Sequence, residues 1–198
     1  MKLYPIFLKL KNKTCLVIGG GDVAFRKTAN LVKSGALVSV IAPEITDKFN
    51  RFIKNKKIRH INRKYINGDL KDYYLVIAAT NSSKINKEIY EESLKENILI
   101  NCVDDPENSS FYVPSVAKEG DLQIAISTSG KAPLLAKKIR EIIEKKFYPD
   151  LQEDIDKLST LRGNIINSLK DNIGLKKQKI NDILVPKINK ILEKLNLK

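Results

Sequence analysis

Three consecutive glycines, Gly19, Gly20 and Gly21, end the apolar run LVI and stand before DVAFRK, a stretch with helical spacing. Gly19, Gly21 and Ala24 fill the pattern GxGxx(G/A). In that pattern the first glycine allows a tight turn and the second lets backbone approach a pyrophosphate. The third, small position lets a helix pack closely on a strand. A helix opening at Asp22 and Val23 would aim its free N–H groups at the phosphates. A lone match of this kind is weak, but here it follows a strand-like run and opens a helix-like one. The signature also asks for an acid about 20 residues on, and Pro43–Glu44, just past the next apolar run, supplies one. A carboxylate there accepts hydrogen bonds from a ribose 2′-OH and repels a 2′-phosphate, which favours NAD over NADP. A later apolar run ends in Ala78–Ala79–Thr80–Asn81, small residues that leave room at a sheet's carboxyl edge. The candidate cofactor set is therefore Gly19, Gly20, Gly21, Asp22, Val23, Pro43, Glu44, Thr80 and Asn81, and the expected cofactor is NAD.

A second group of residues has two readings. Asp104 and Asp105 follow the apolar run ILINCV and precede Pro106. A carboxylate just past a buried strand lies where a nicotinamide would project; equally, aspartates before a proline make turns. Thr128, Ser129, Gly130 and Lys131 open a helix candidate and either bind a carboxylate at the helix start or simply turn strand into helix. The sole histidine, His60, sits in a weak strand among basic residues and is expected to be exposed. Cys15 and Cys102 lie in apolar runs without CxxC spacing and are expected to be buried, inert thiols. No histidine–carboxylate cluster has metal-ligand spacing, so no metal site is expected.

These residues need a scaffold. Between residues 13 and 103 strands and helices alternate: KTCLVI, a helix from Asp22 to Ser34, LVSVIA, a helix over Ile45–Asn55, KIRHI, YLVIAAT, a helix over Ser82–Asn97 with Ile85, Ile89 and Leu94 inward, then ILINCV. Such alternation predicts an α/β fold with a doubly wound, Rossmann-like parallel sheet. After the turn-rich DDPENSS, two short strands flank Glu119–Gly120–Asp121, and a helix follows with Pro133 in its first turn. From Asp150 onward, apolar residues at Leu151, Ile155, Leu158, Leu161, Ile165 and Leu169, and then from Ile180 to Leu195, keep three-and-four spacing. That predicts long amphipathic helices, the last kinked near Pro186.

A chain of 198 residues with 42% hydrophobic residues can bury a core. No stretch approaches the ~18 apolar residues of a membrane span, and MKLYPIFLKLKNK makes a poor signal peptide, so a cytoplasmic protein is expected. The net charge of +13 suits nucleic acid, an anionic membrane or a polyanionic small molecule. Aromatic residues are not interleaved with the lysines as stacking platforms would be, and no recognition motif for nucleic acid is present.

The stretches "LYPIFLKLKNKTCLVIGGGDVAFRK", "VIAATNSSKIN", "NCVDDPENSSFYVPSV" and "LQIAISTSGKAPLLAKKIRE" together resemble the precorrin-2 dehydrogenase/sirohydrochlorin ferrochelatase family, which also forms the N-terminal module of siroheme synthase. The resemblance implies NAD-dependent oxidation of precorrin-2 to sirohydrochlorin. It also implies a homodimer and three parts: an NAD-binding domain (1–112), an α+β dimerisation segment (113–146) and a helical domain (147–198). It makes Asp104, the first aspartate of the family's VVD(D/A)P motif, the catalytic residue, as a general base or a substrate-positioning carboxylate, and leaves Asp105 to the turn. The substrate is a polycarboxylate tetrapyrrole, which a basic protein attracts without any role in nucleic-acid binding; Thr128, Ser129, Gly130 and Lys131 become substrate-binding candidates. The family usually has two glycines before this lysine and a serine after it, where this chain has Ser129–Gly130 and Ala132. Two alternatives stay open: an enzyme that also inserts Fe²⁺ into sirohydrochlorin, and a non-catalytic NAD(H)-sensing module. The chain's length leaves no room for the methyltransferase domain of the fused enzyme, so that form is not expected.

Overall fold

The computed structural model describes residues 3–168 and 173–197; Leu169 falls outside them. The chain divides into two units after Val113. In the first, β1 (Thr14–Ile18), β2 (Leu37–Ile41), β3 (Ile58–Ile61), β4 (Leu75–Ala78) and β5 (Leu99–Cys102) form a parallel sheet in the order β3-β2-β1-β4-β5. All of β4, and β1 beyond Thr14, is buried, which is why these strands read as unbroken apolar runs rather than alternating ones. The order runs outward from β1 to β3, then reverses to β4 and β5, so the switch point lies between β1 and β4.

Helix α1 (Asp22–Lys33) buries Ala24, Thr28 and Leu31, and its apolar residues join Val17, Val38, Val40 and Phe49 on one face of the sheet. Helix α3 (Ser83–Lys95) covers the other face, where Ile89 meets Leu16, Ile18 and Ile100. The crossover from β3 to β4 has no helix; its Leu70 is fully buried on this second face, with Tyr65 and Tyr73 packed alongside. The crossover is tied down by polar bonds. Arg63 forks onto Asp69 at 2.7 and 2.6 Å, and buried Glu92 of α3 accepts from the Leu70 N–H at 2.9 Å and from the Tyr65 hydroxyl.

Three expectations need correction. The helix expected over Ile45–Asn55 is a 3₁₀ turn at Asp47–Phe49 followed by α2 (Asn50–Lys54). The Thr46 N–H is held by the Gly20 carbonyl at 2.9 Å, so the chain still belongs to the glycine turn where the helix was to begin. Leu94 is exposed, because the inner stripe of α3 continues from Ile89 to Glu92 and Ser93 and leaves residue 94 off the face. His60 is half-buried rather than exposed; its Nε2 donates to the Ala42 carbonyl at 2.9 Å and so has a structural partner.

In the second unit β6 (Ser115–Glu119) and β7 (Leu122–Ile126) pair antiparallel around Gly120, and α4 (Pro133–Glu144) starts on its proline. Ala117 and Ala136 are buried, but Leu134, Leu135 and Ile142 of α4 are 76%, 54% and 58% exposed. Helices α5 (Leu151–Ser168) and α6 (Ile173–Lys194) follow, with α6 continuing through Pro186. A groove of about 600 Å³ between them is lined by Leu158, Leu161 and Ile191 under charged side chains and holds none of the candidate site residues. No described helix is long and apolar enough to cross a membrane.

Candidate functional site

The glycine turn is pressed against two neighbours and open on one side. The Gly19 N–H donates to the Ile41 carbonyl at 2.9 Å, stitching the turn to the end of β2. Gly19 has φ +127°, and a Cβ there would lie 2.2 Å from the Ala79 carbonyl oxygen, just past β4. A Cβ on Gly20 would lie 1.8 Å from the Glu44 carbonyl oxygen, past β2. A Cβ on Gly21 would meet nothing within 4 Å.

Gly21 is also the N-cap of α1, in extended conformation, and no side chain caps the helix. The first intrahelical bond runs from Phe25 N–H to the Gly21 carbonyl, so the N–H groups of Asp22, Val23 and Ala24 have no partner within the helix. Free donors at the positive end of a helix, beside an open glycine, fit a pyrophosphate. Ala24 is fully buried, as close packing of α1 on the sheet requires. Asp22 carries a negative charge next to this anion cradle, and Lys48 offsets it with an ion pair at 2.8 Å.

Pro43 and Glu44 are exposed on the loop after β2, beside Gly20. Past β4, the Thr80 hydroxyl is committed to its own loop: it donates to Asn86 Oδ1 at 2.7 Å and accepts from the Ser82 N–H at 3.2 Å. The Asn86 amide donates back to the Thr80 carbonyl at 3.3 Å. Thr80 thus shapes the loop through Asn86, a buried residue that apolar spacing passes over, while Asn81 stays exposed.

Past β5, the Val103 N–H donates to the Ala78 carbonyl at 2.9 Å, which makes Asp104 the first residue beyond the paired strands. Asp104 is exposed with φ 60°. The turn itself is made by Asp105, whose carboxylate accepts from the Asn108 N–H at 3.2 Å and from Asn108 Nδ2 at 2.6 Å. Among the described residues the Asp104 side chain takes no hydrogen bond. The cofactor candidates and Asp104 therefore sit on the loops at the carboxyl ends of β1, β2, β4 and β5, the edge where open α/β sheets bind ligands around their switch point.

Lys27 of α1 and Asn101 of β5 stand close to this edge, and sequence spacing did not single them out. Lys27 Nζ donates to Asn101 Oδ1 at 3.3 Å. Burial pushes the Lys27 pKa down, as does the neighbouring Arg26 charge, while the Asp104 carboxylate acts in the opposite direction. Burial alone raises the Cys15 thiol to about 11, and burial followed by the Asp105 charge does the same for Cys102, so both stay protonated at neutral pH. Among the described residues no three His, Cys, Asp or Glu are grouped to hold a metal ion.

Thr128, Ser129, Gly130 and Lys131 form the turn between β7 and α4 in the second unit. Ser129 and Gly130 both have positive φ, 54° and 79°, so the serine adopts a backbone region that glycine enters at lower cost. The Thr128 hydroxyl accepts from the Ala132 N–H at 3.0 Å, and the Lys131 side chain is exposed.

Residues 6–115 match the family described as "Putative NAD(P)-binding", and residues 119–146 match the sirohaem biosynthesis protein central family. The chain is similar to the siroheme synthase of Photobacterium profundum, with 38% identity over 83% of this chain and 34% of the relative. It is similar to siroheme synthase 2 of Yersinia pseudotuberculosis serotype O:1b, with 36% identity over 88% of this chain and 36% of the relative. The chain thus spans about a third of the length of these curated relatives. Among solved structures it is similar to SirC, a precorrin-2 dehydrogenase, with a TM-score of 0.75 and 25% identity over 99% of this chain and 100% of that one.

Proposed function

The chain belongs to the NAD(P)-binding family matched by its residues 6–115, and from that premise we propose that it oxidises precorrin-2 to sirohydrochlorin with NAD⁺. The observation that carries this reading is the juxtaposition at one sheet edge of an open anion cradle at Gly21 and the exposed carboxylate of Asp104, which takes no hydrogen bond among the described residues. The similarity to a precorrin-2 dehydrogenase over the whole chain supports the choice of substrate.

Bound NAD⁺ supplies the hydride acceptor. The chain supplies the rest. The N–H groups of Asp22, Val23 and Ala24 hold the pyrophosphate, and Gly21 lets it approach. Asp104 takes the proton that leaves as the substrate is oxidised, or fixes the substrate in place for that loss. The excess positive charge draws the polycarboxylate in over about a Debye length, ~8 Å at physiological salt. Thr128 to Lys131 bind substrate carboxylates through the Lys131 ammonium. The same reading includes a cytoplasmic homodimer, which the exposed Leu134, Leu135 and Ile142 of α4 support, and a division of the chain beyond residue 112 into segments 113–146 and 147–198.

An anaerobic assay tests the reaction. With precorrin-2 and NAD⁺, NADH absorbance is expected to rise as sirohydrochlorin forms; no change in either chromophore overturns the proposal. Later addition of Fe²⁺ shows whether the protein also speeds metal insertion.

Preference for NAD⁺ over NADP⁺ is assigned to Glu44. Glu44→Arg is expected to shift the ratio of affinities toward NADP⁺ by about tenfold to a hundredfold, the worth of one hydrogen bond to a charged group. Titration of cofactor fluorescence measures both constants. An unchanged ratio removes Glu44 from the ribose site.

A further inference from the structure

Helix α1 begins without the device that starts α3. Ser82 caps α3, its hydroxyl accepting from the Ile85 N–H at 3.3 Å. The N-cap of α1 is Gly21, which has no side chain to accept anything. A capping oxygen would occupy the N–H of the second or third helical residue, and those are donors a pyrophosphate needs. The start of α1 is marked instead by Asp22, a carboxylate in the first turn, where negative charge favours the helix without covering its donors.

That arrangement works against the ligand. A pyrophosphate approaching the Asp22 N–H meets the charge of the same residue's side chain. The counter-charge comes from across the fold: Lys48 Nζ lies 2.8 Å from Asp22 Oδ1. Arg26, one turn along α1, makes no ion pair among the described residues. The backbone on both sides of Lys48 is tied to this corner. The Thr46 N–H donates to the Gly20 carbonyl at 2.9 Å. Phe49 is fully buried against Phe25 of α1, with ring centroids 5.3 Å apart. The 3₁₀ turn at Asp47–Phe49 thus brings a lysine to the start of α1.

We propose that Asp22 and Lys48 act as one unit in cofactor binding. Asp22 stabilises an α1 that has to stay uncapped, and Lys48, a positioning residue acting through Asp22, cancels the charge that would repel the pyrophosphate. This rests on the reading of the glycine turn as the cofactor cradle. An exposed ion pair adds little to stability, and both partners are exposed, so the effect of this pair falls on the ligand.

A double-mutant cycle tests it. NAD⁺ affinity and melting temperature are read for native protein, Lys48→Met, Asp22→Asn and the double variant, at low salt and at about 1 M salt, where the Debye length shrinks to ~3 Å. Lys48→Met is expected to weaken NAD⁺ binding about fivefold at low salt, the upper range for an exposed charge pair, and by less than about twofold at high salt. Lys48→Arg keeps the charge and is expected to recover most of the affinity. Asp22→Asn is expected to lower the melting temperature by about 2 °C and to strengthen binding by about twofold, because Lys48 then stands unopposed. The double variant, with neither charge, is expected to return to within about twofold of native. Native affinity in Lys48→Met overturns the proposal. So does a double variant as weak as Lys48→Met, which would make Lys48 a direct ligand of the phosphates, and so does a loss that high salt leaves unchanged. A native protein that binds neither NAD⁺ nor NADP⁺ overturns the cradle reading, and this proposal with it.

Discussion

Replacing Asp104 with asparagine is expected to lower precorrin-2 turnover by a factor of about 10²–10⁴, the range of a lost acid–base group, with NAD⁺ binding retained. Asparagine is the informative substitution because Asp104 has φ 60°. Asparagine tolerates that left-handed region, whereas most side chains with a Cβ pay roughly 1–2 kcal/mol to enter it. Asp104→Asn therefore removes the charge and leaves the backbone alone; Asp104→Ala should show the same kinetic loss together with a lower melting temperature. The turn-only reading of this residue predicts a different pattern, a stability loss in Asp104→Ala alone with chemistry intact in both variants. Geometry already separates the two aspartates. Asp105 takes both Asn108 donors and gives its N–H to the Cys102 carbonyl, so the turn is made without the Asp104 side chain. Turnover of Asp104→Asn within about twofold of native, measured by NADH formation, would remove the assignment.

The sheet was legible because strands buried on both faces leave unbroken apolar runs, and the glycine turn was legible because its residue types follow from backbone geometry. What stayed hidden depends on partners distant in the chain. Leu94 looked inward as one more apolar residue, but an inner face is set by angle. The buried Glu92, which holds the crossover by the Leu70 N–H, occupies that angle. His60 gave no sign of the Ala42 carbonyl that it meets just past the neighbouring strand. The short second helix reflects the bond from Thr46 to Gly20, which spacing within residues 45–55 cannot reveal. At the site, Lys27, Asn86 and Asn101 were passed over because polar residues inside apolar periodicity carry no periodic signal. Their roles exist only once α1, α3, β5 and the Thr80 loop are brought together. Gly20, the unspecified middle position of the motif, is a related case. Its need for hydrogen instead of a side chain comes from Glu44, whose carbonyl oxygen lies where a Cβ would go.

The three glycines should accordingly respond to alanine in two different ways. Gly19→Ala puts a Cβ 2.2 Å from the Ala79 carbonyl oxygen at φ +127°, and Gly20→Ala puts one 1.8 Å from the Glu44 carbonyl oxygen. Both obstacles are backbone at strand ends, so neither can swing aside as a flexible side chain would. Each variant is expected to lose more than about 4 kcal/mol, the tail reached when core geometry is broken. Gly21→Ala meets nothing within 4 Å, and its φ of −79° and ψ of −176° are open to alanine. As the N-cap of α1, where glycine is preferred to alanine, it should lose only about 1 kcal/mol. The methyl group would instead stand where the pyrophosphate has to approach the free N–H groups of α1. NAD⁺ affinity is expected to fall by about a hundredfold, the equivalent of ~2.7 kcal/mol. Urea unfolding and NAD⁺ titration of the three variants separate these effects. Native NAD⁺ affinity in Gly21→Ala would mean that the open side of the turn is not the cofactor cradle, and native stability in Gly20→Ala would mean that the Glu44 loop does not press on the turn.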